Sequence, residues 1–325
     1  MTSSLSEAEG KRPAVPCAPA AAAASRLQTI AALLLALRPK QFVKNGVVFA
    51  PLVFTVRLAW RPLYPDTWLP LLGRSLLAFT AFCAVSAAGY LVNDLRDIEA
   101  DRLHPRKRLR PIASGALAAR PAVYAALAGY AAGLLAGVPL GWRFEATITG
   151  YGLLVLAYTF VLKQAVILDV LAIASGFALR AMGGAFAIAV PVSPWLYLCT
   201  VLGALLLAVN KRRHELLLLD AEAVHHRPAL AAYSVPLLDQ MSSTVAAATV
   251  IAYSLYTFTA ENLPTNHAMM VTVPFVLYGI FRYLFLVYRR DEGGSPEDLL
   301  VRDLPLLACV ALWLITAAAV LAIYR

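Results

Sequence analysis

Three carboxylates and an amide are spaced to share one helical face in the segment Asn93-Asp94-Leu95-Arg96-Asp97-Ile98-Glu99-Ala100-Asp101. Asn93, Asp97 and Asp101 recur every four residues, and Asp94 precedes Asp97 by three and Asp101 by seven. On an α-helix these four side chains fall within an arc of about 100°, and Glu99 points away from it. Carboxylates this close repel one another unless a cation neutralises them. A set of hard oxygen donors suits Mg2+, which commonly bridges one or two protein carboxylates to substrate phosphates. Asn93, Asp94, Asp97 and Asp101 are therefore the candidate metal ligands, and the three aspartates the candidate catalytic acids.

The chain continues His104-Pro105-Arg106-Lys107-Arg108-Leu109-Arg110-Pro111-Ile112-Ala113-Ser114-Gly115. Lys107 and Arg110, next to a metal-bound diphosphate, would share its charge and stabilise it as a leaving group. The plainer reading of such a loop is a topology signal or a contact with anionic lipid heads.

The elements that must carry these groups are membrane spans. Of 325 residues, 60% are hydrophobic and 14% charged, and the mean hydropathy is +0.69. Soluble domains run nearer ~45–50% apolar and ~25% charged. The composition excludes a water-soluble globule, a disordered chain and an array of polar modules. Nine apolar stretches are legible: Phe42–Val56, Leu69–Val92, Pro121–Leu140, Ala146–Leu162, Val166–Val190, Trp195–Val209, Met241–Ala260, Ala268–Tyr288 and Leu304–Tyr324. The first and fourth are short for a crossing. Helices are expected, because a lipid-facing backbone must satisfy its own hydrogen bonds. Residues 1–25, with the run Ala20–Ala24, read as a disordered tail, and 26–325 as a single transmembrane catalytic domain. Leu27–Leu37 reads as an interfacial helix leading into the first span.

Basic residues orient the bundle. With the N-terminus in the cytoplasm, 21 of the 28 Lys and Arg lie on the cytoplasmic side and five on the other. That distribution predicts an odd number of spans, a C-terminus outside, and the acidic motif facing the cytoplasm of a cell membrane. The net charge of +9 follows from this topology, since no basic domain stands apart to bind nucleic acid. The four cysteines form no CxxC pair and read as small buried hydrophobes. Arg180 and Arg282 lie within spans, where an uncompensated charge costs at least ~2.5–3.5 kcal/mol. Arg180 is expected to share an inward face with Asp169, as a lipid-phosphate or structural cavity cation, or as half of a buried ion pair, or snorkelling to the far interface.

At this point the sequence resembles the UbiA superfamily of intramembrane prenyltransferases. That family's NDxxDxxxD motif and the basic KxxRPxxxG stretch after it match Asn93, Asp94, Asp97 and Asp101, then Lys107, Arg110, Pro111 and Gly115. The resemblance implies an all-α polytopic protein, nine transmembrane helices in a bundle around a cytoplasm-facing polar cavity. A YxxxK-like element of the family matches Tyr158 to Lys163, with Asp169 soon after. By resemblance, Tyr158 and Lys163 would contact a diphosphate.

One departure from the family is informative. A second acidic motif is expected after the sixth span, where it would hold a second metal on a prenyl diphosphate. Here that place reads Asn210-Lys211-Arg212-Arg213-His214-Glu215-Leu216, with Glu215 its one acid. In this the chain resembles the polyprenyl-phosphate (decaprenyl-type) phosphoribosyltransferase branch. Arg38-Pro39-Lys40-Gln41-Phe42-Val43-Lys44-Asn45, Lys211-Arg212 with Glu215-Leu216, and Pro296-Glu297-Asp298 with Arg302-Asp303 carry that likeness. It implies Mg2+-dependent transfer of 5-phosphoribose from 5-phosphoribose 1-diphosphate to a polyprenyl phosphate, in cell-envelope lipid-linked sugar synthesis. Lys44, Lys211 and Arg212 are candidates for the monophosphate groups. Glu215, Asp169 and Asp298 are alternatives for steadying the ribose or its cationic carbon. Self-association is left open by the sequence, a homo-oligomer being compatible with it. A prenyltransferase acting on an aromatic acceptor would need more acid after the sixth span. A transporter would need paired, broken spans in two halves.

Overall fold

The computed structural model describes residues 28–105, 107–218, 230, 232–260, 263–290, 293–294, 298–299 and 302–324. The expected tail 1–25, together with Asp220, His225, His226, Pro296 and Glu297, lies outside these described residues.

Among the described residues the chain is helical, with a single isolated β-bridge between Val56 and Trp60. A first helix, α1, covers residues 28–36. The chain then forms a 3-10 helix Pro39–Phe49 and the short α2, Ala50–Phe54. There follow α3 (Pro65–Arg96), the short α4 (Ile98–Leu103), then α5 (Ala119–Gly137), α6 (Trp142–Phe160) and α7 (Leu168–Ala187). The series closes with α8 (Pro194–Leu218), α9 (Val235–Thr259), α10 (Val273–Arg290) and α11 (Leu304–Tyr324). Seven of these segments are long and apolar enough to cross a membrane. Phe42–Val56 and Ala146–Leu162, the two short stretches, are helical but fall outside that set.

The first expected span differs in kind as well as length. Pro39 near its start, Gly46 and the β-branched Val43, Val47 and Val48 all disfavour a regular α-helix, and the chain winds as 3-10 instead. Its inner face presses on α7, where a Cβ at Gly184 would collide with the Val48 carbonyl. Glycine at 184 is what lets the two backbones meet.

Helix α3 is 32 residues long, about 48 Å at 1.5 Å per residue, against a hydrocarbon core of about 30 Å. Its last turns therefore emerge from the apolar layer and carry Asn93 and Asp94 with them. Pro65 at its start and Asp66 in its first turn suit the positive end of the helix dipole. The main core joins α3, α6 and α7 through Phe82, whose ring meets Phe144 at 5.8 Å and Tyr151 at 5.3 Å, both edge-on. A second core gathers Tyr253, Tyr256, Met269 and Leu321 around Trp313. Leu135, Leu153 and Ile315 point outward and are exposed, as a lipid-facing surface requires. Helix α1 buries Ala32 and Ala36 against Leu91, Ile112 and Leu117 and exposes Ile30, Leu34 and Leu35, which fits an element lying in the membrane interface.

Candidate active site

The acidic motif does not lie on one unbroken helix. Helix α3 ends at Arg96, Asp97 takes φ −94° and ψ 14°, and α4 restarts at Ile98. Backbone bonds from Asp97 N to Asn93 O (3.0 Å) and from Asp101 N to Asp97 O (2.7 Å) keep the two pieces nearly continuous. The four expected ligands divide into two pairs facing two cations, Asp94 with Asp101 and Asn93 with Asp97, as their angular positions on a helix would place them. Arg110 Nη1 donates to Asp94 Oδ1 at 3.1 Å and to Asp101 Oδ2 at 2.6 Å. Lys163 Nζ donates to both oxygens of Asp97 at 2.7 Å and to Asn93 Oδ1 at 3.3 Å. Repulsion among the carboxylates, expected from the sequence, is relieved here by side-chain cations.

Arg38 completes this group. It sits in the left-handed region at φ 53°, turning the chain from α1 into the 3-10 helix. That turn sends its Nη2 to Asp94 Oδ1 at 2.5 Å, with the guanidinium 5.2 Å from the Tyr90 ring centre. In sequence Arg38 was only part of a family-like run; its partnership with Asp94, 56 residues away, is tertiary.

Asp94 and Asp101 are buried, and burial holds the Asp101 carboxyl above its ordinary value despite the opposing pull of Arg110. Asp94 Oδ2 is buried with no hydrogen-bond partner. An orphaned carboxylate oxygen among other hard oxygen donors fits a divalent cation of the Mg2+ type. Among the described residues no three His, Cys, Asp or Glu side chains are gathered into a ready-made cage. The donor set therefore suits an ion shared with substrate phosphates, the usual habit of Mg2+.

A second polar cluster forms where α6, α7 and α8 end on the same side. Arg212, 1% exposed, uses all three nitrogens: Nε to Asp169 Oδ2 (2.6 Å), Nη2 to Tyr158 OH (3.0 Å), and Nη1 to Glu215 Oε2. Tyr233 OH donates to Asp169 Oδ1 at 2.8 Å and accepts from Ile167 N at 2.7 Å. Burial and the Asp169 bond push the Tyr233 hydroxyl up to about 12. Ile167, β-branched yet at φ 70°, is a strained residue held in place by that hydroxyl. Tyr233 was not among the sequence candidates; nothing in its sequence surroundings marks it.

The remaining candidates are placed as follows. Lys44, half-buried on the 3-10 helix, donates to Gln41 Oε1. Lys107 is exposed on the turn between α4 and Arg110. Lys211 is half-buried beside Arg212 on α8, and Asp298 is half-buried ahead of α11. Lys163 and Tyr158, five residues apart at the end of α6, divide their attention, the lysine joining the acidic motif and the tyrosine joining Arg212. That one segment bridges the two clusters. The two intramembrane arginines also separate. Arg180 pairs with Asn45 and Tyr151 and not with Asp169, and Arg282 pairs with Asp303.

Comparison with known proteins matches residues 48–300 to the UbiA prenyltransferase family. The chain is 33% identical over 305 residues to a decaprenyl-phosphate phosphoribosyltransferase of Mycolicibacterium smegmatis, covering 89% of this chain and 92% of the relative. It is 34% identical over 296 residues to the enzyme of that name from Corynebacterium glutamicum, covering 86% and 84% respectively. Among solved structures, a UbiA homolog from Archaeoglobus fulgidus bound to GPP and Mg2+ superposes with a TM-score of 0.66 at 20% identity, over 90% of this chain and 100% of that one. That likeness is one of fold.

Proposed function

The chain belongs to the UbiA prenyltransferase family, and we propose that this integral membrane protein transfers 5-phosphoribose from 5-phosphoribose 1-diphosphate to a polyprenyl phosphate, releasing diphosphate. The observation that carries the reading is the second cluster. Where a prenyl diphosphate enzyme of the family would present a second open acidic motif, α8 presents Arg212 enclosed by Asp169, Glu215 and Tyr158. One metal-type acidic site beside a group of cations fits one diphosphate and two phosphate monoesters. The relatives of similar length support a polyprenyl phosphate acceptor and a phosphoribosyl donor, which their names imply.

In this reading Asn93, Asp94, Asp97 and Asp101 would hold Mg2+ at the donor site. The ion would supply charge neutralisation of the leaving diphosphate. Arg110 and Lys163, now paired with those carboxylates, are released toward the diphosphate as it binds, with Tyr158 and Lys107 as further contacts. The ribose C1–O bond breaks with oxocarbenium character at C1. The lipid phosphate oxygen attacks the opposite face, so the anomeric centre inverts. A phosphate monoester is anionic at neutral pH and needs no strong general base. Asp169 is sealed between Arg212 and Tyr233, which makes it a positioning residue. Glu215, with 27% of its side chain exposed, is the acid of this cluster that remains open to steady the ribose. Lys44 and Lys211 serve the monophosphates, and Arg212 orients Glu215 and Tyr158 beside them. The open side faces the cytoplasm, and the product feeds cell-envelope lipid-linked sugar synthesis.

A donor assay tests the reading. Purified protein with Mg2+ and a polyprenyl phosphate should incorporate label from phosphoribose diphosphate and none from a labelled prenyl diphosphate offered with an aromatic acceptor. The reverse result replaces this function with aromatic prenylation.

A further inference from the structure

Deep in the bundle, a second arginine is nearly as buried as Arg212 and has no acid to match it. Arg180 is 6% exposed on α7, eleven residues from Asp169 and so about 16 Å further along the helix. Its partners are neutral. Nε donates to Asn45 Oδ1 at 2.6 Å and Nη2 to Tyr151 OH at 2.5 Å. Ser86 Oγ joins Tyr151 OH at 2.9 Å, and Asn45 Nδ2 donates to Cys83 Sγ at 3.1 Å. The guanidinium also lies 4.5 Å from the Tyr151 ring centre and 5.2 Å from that of Phe177. Among the described residues no carboxylate pairs with Arg180, and its Nη1 makes no hydrogen bond.

An intramembrane charge without a counter-ion is expensive to hold, and such residues characteristically face a substrate path. The neutral partners fix the guanidinium's orientation through two of its three nitrogens and leave Nη1 over. A Cβ at Gly176 would come into van der Waals contact with Nη1 (3.5 Å) and Tyr151 Cε2 (3.6 Å), so glycine there keeps a side chain off the spare nitrogen. An arginine held in this way presents donors that match a phosphate oxygen.

We propose that Arg180, oriented by Asn45 and Tyr151, forms an inner binding site for a phosphate monoester, separate from the acidic motif. Arg110 and Lys163 bond to Asn93, Asp94, Asp97 and Asp101, and none of their hydrogen bonds goes to Asn45 or Tyr151. The choice of a monoester rests on the phosphoribosyl-transfer reading, in which both the donor's 5-phosphate and the lipid head carry this group.

Binding without turnover tests the site apart from that reading. Full-length protein in detergent, free of Mg2+, is titrated by calorimetry with ribose 5-phosphate and, separately, with a short-chain polyprenyl phosphate. Wild type should bind at least one probe, and Arg180→Gln should weaken that probe by about tenfold or more, with Arg180→Lys between the two. Loss confined to ribose 5-phosphate identifies the donor's phosphate as occupant, and loss confined to the lipid identifies the acceptor. Should Arg180→Gln lose its cooperative melting transition, Tyr151→Phe, which frees the guanidinium, must weaken the same probe. A wild type that binds neither probe, or folded variants with unchanged affinity for both, overturns the inner site. A wild type that binds with Arg180 dependence yet transfers no phosphoribose sinks the proposed function and leaves the site standing.

Discussion

Lys163 Nζ stands 2.7 Å from each carboxylate oxygen of Asp97, bridging the end of α6 to the break between α3 and α4. Lys163 is itself buried, whereas 27% of the Asp97 side chain is exposed, so the pair opens on the aspartate side. Lys163 would be placed to bind phosphate oxygens of a donor held at this motif, since Asp97 lies at its open side.

Two substitutions and a chelator examine that placement. Asp97→Asn should abolish transfer while the melting temperature stays near wild type. Lys163→Met should raise the KM for the donor by about tenfold or more, the loss expected for one charged hydrogen bond. EDTA should stop the reaction and Mg2+ should restore it. Full turnover in EDTA would remove the metal from the scheme.

Arg212 is expected to matter for stability before it matters for kinetics. Taking away one member of a buried ion pair leaves the other charge uncompensated, at a cost of about 3–5 kcal/mol. Asp169, 0% exposed, would be that stranded charge. Arg212→Ala should therefore lower the melting temperature in detergent by several degrees. The double variant Arg212→Met with Asp169→Leu should recover much of the stability and none of the activity. A single Arg212→Ala variant as stable as wild type would show that the cluster is not a structural hub.

Acid should weaken the packing of α10 on α11. Asp303 Oδ1 accepts from Leu306 N at 2.9 Å and from Arg282 Nε at 3.1 Å, and its Oδ2 accepts from Arg282 Nη2 at 2.8 Å. The Arg282 bonds hold the Asp303 carboxyl below its ordinary value. A carboxylate whose folded value is depressed stabilises the fold above its unfolded value, about 3.9, and loses that contribution as the pH falls through the folded value. The melting temperature of wild type should exceed that of Asp303→Asn at about pH 7, and the gap should close only below about pH 4. Equal melting temperatures at pH 7 would show that the pair contributes nothing.

Sidedness joins topology to substrate supply. The proposed donor, 5-phosphoribose 1-diphosphate, carries several negative charges and cannot cross a bilayer unaided. Inside-out vesicles should use added donor without detergent, and sealed right-side-out vesicles should not. Leu109, 76% exposed in the basic loop, is a suitable reporter. With Cys17 replaced by serine, Leu109→Cys should react with a membrane-impermeant maleimide only from the cytoplasmic face. Labelling from outside intact cells would overturn the orientation and the substrate route together.

The residue pattern alone carried the membrane class, the run of spans and the acidic motif, because hydrophobic length and carboxylate spacing are local properties. Set against the family it resembles, the sequence also marked the scarcity of acid after the sixth span. It did not show that the first span would wind as 3-10, since that depends on the close approach of Val48 to Gly184. Nor did it show the break at Asp97, or that Arg110 would meet Asp94 and Asp101 while Lys163 met Asp97. Which cation meets which anion is decided by how helices distant in sequence pack. Arg38 reaches Asp94, Arg212 reaches Asp169, and Tyr233 secures that aspartate from a third element. The same packing sets Arg180 against Asn45 and Tyr151, though helical periodicity places it on the face of Asp169. A helical face is written in spacing; the partner that the face meets exists only once the bundle has closed.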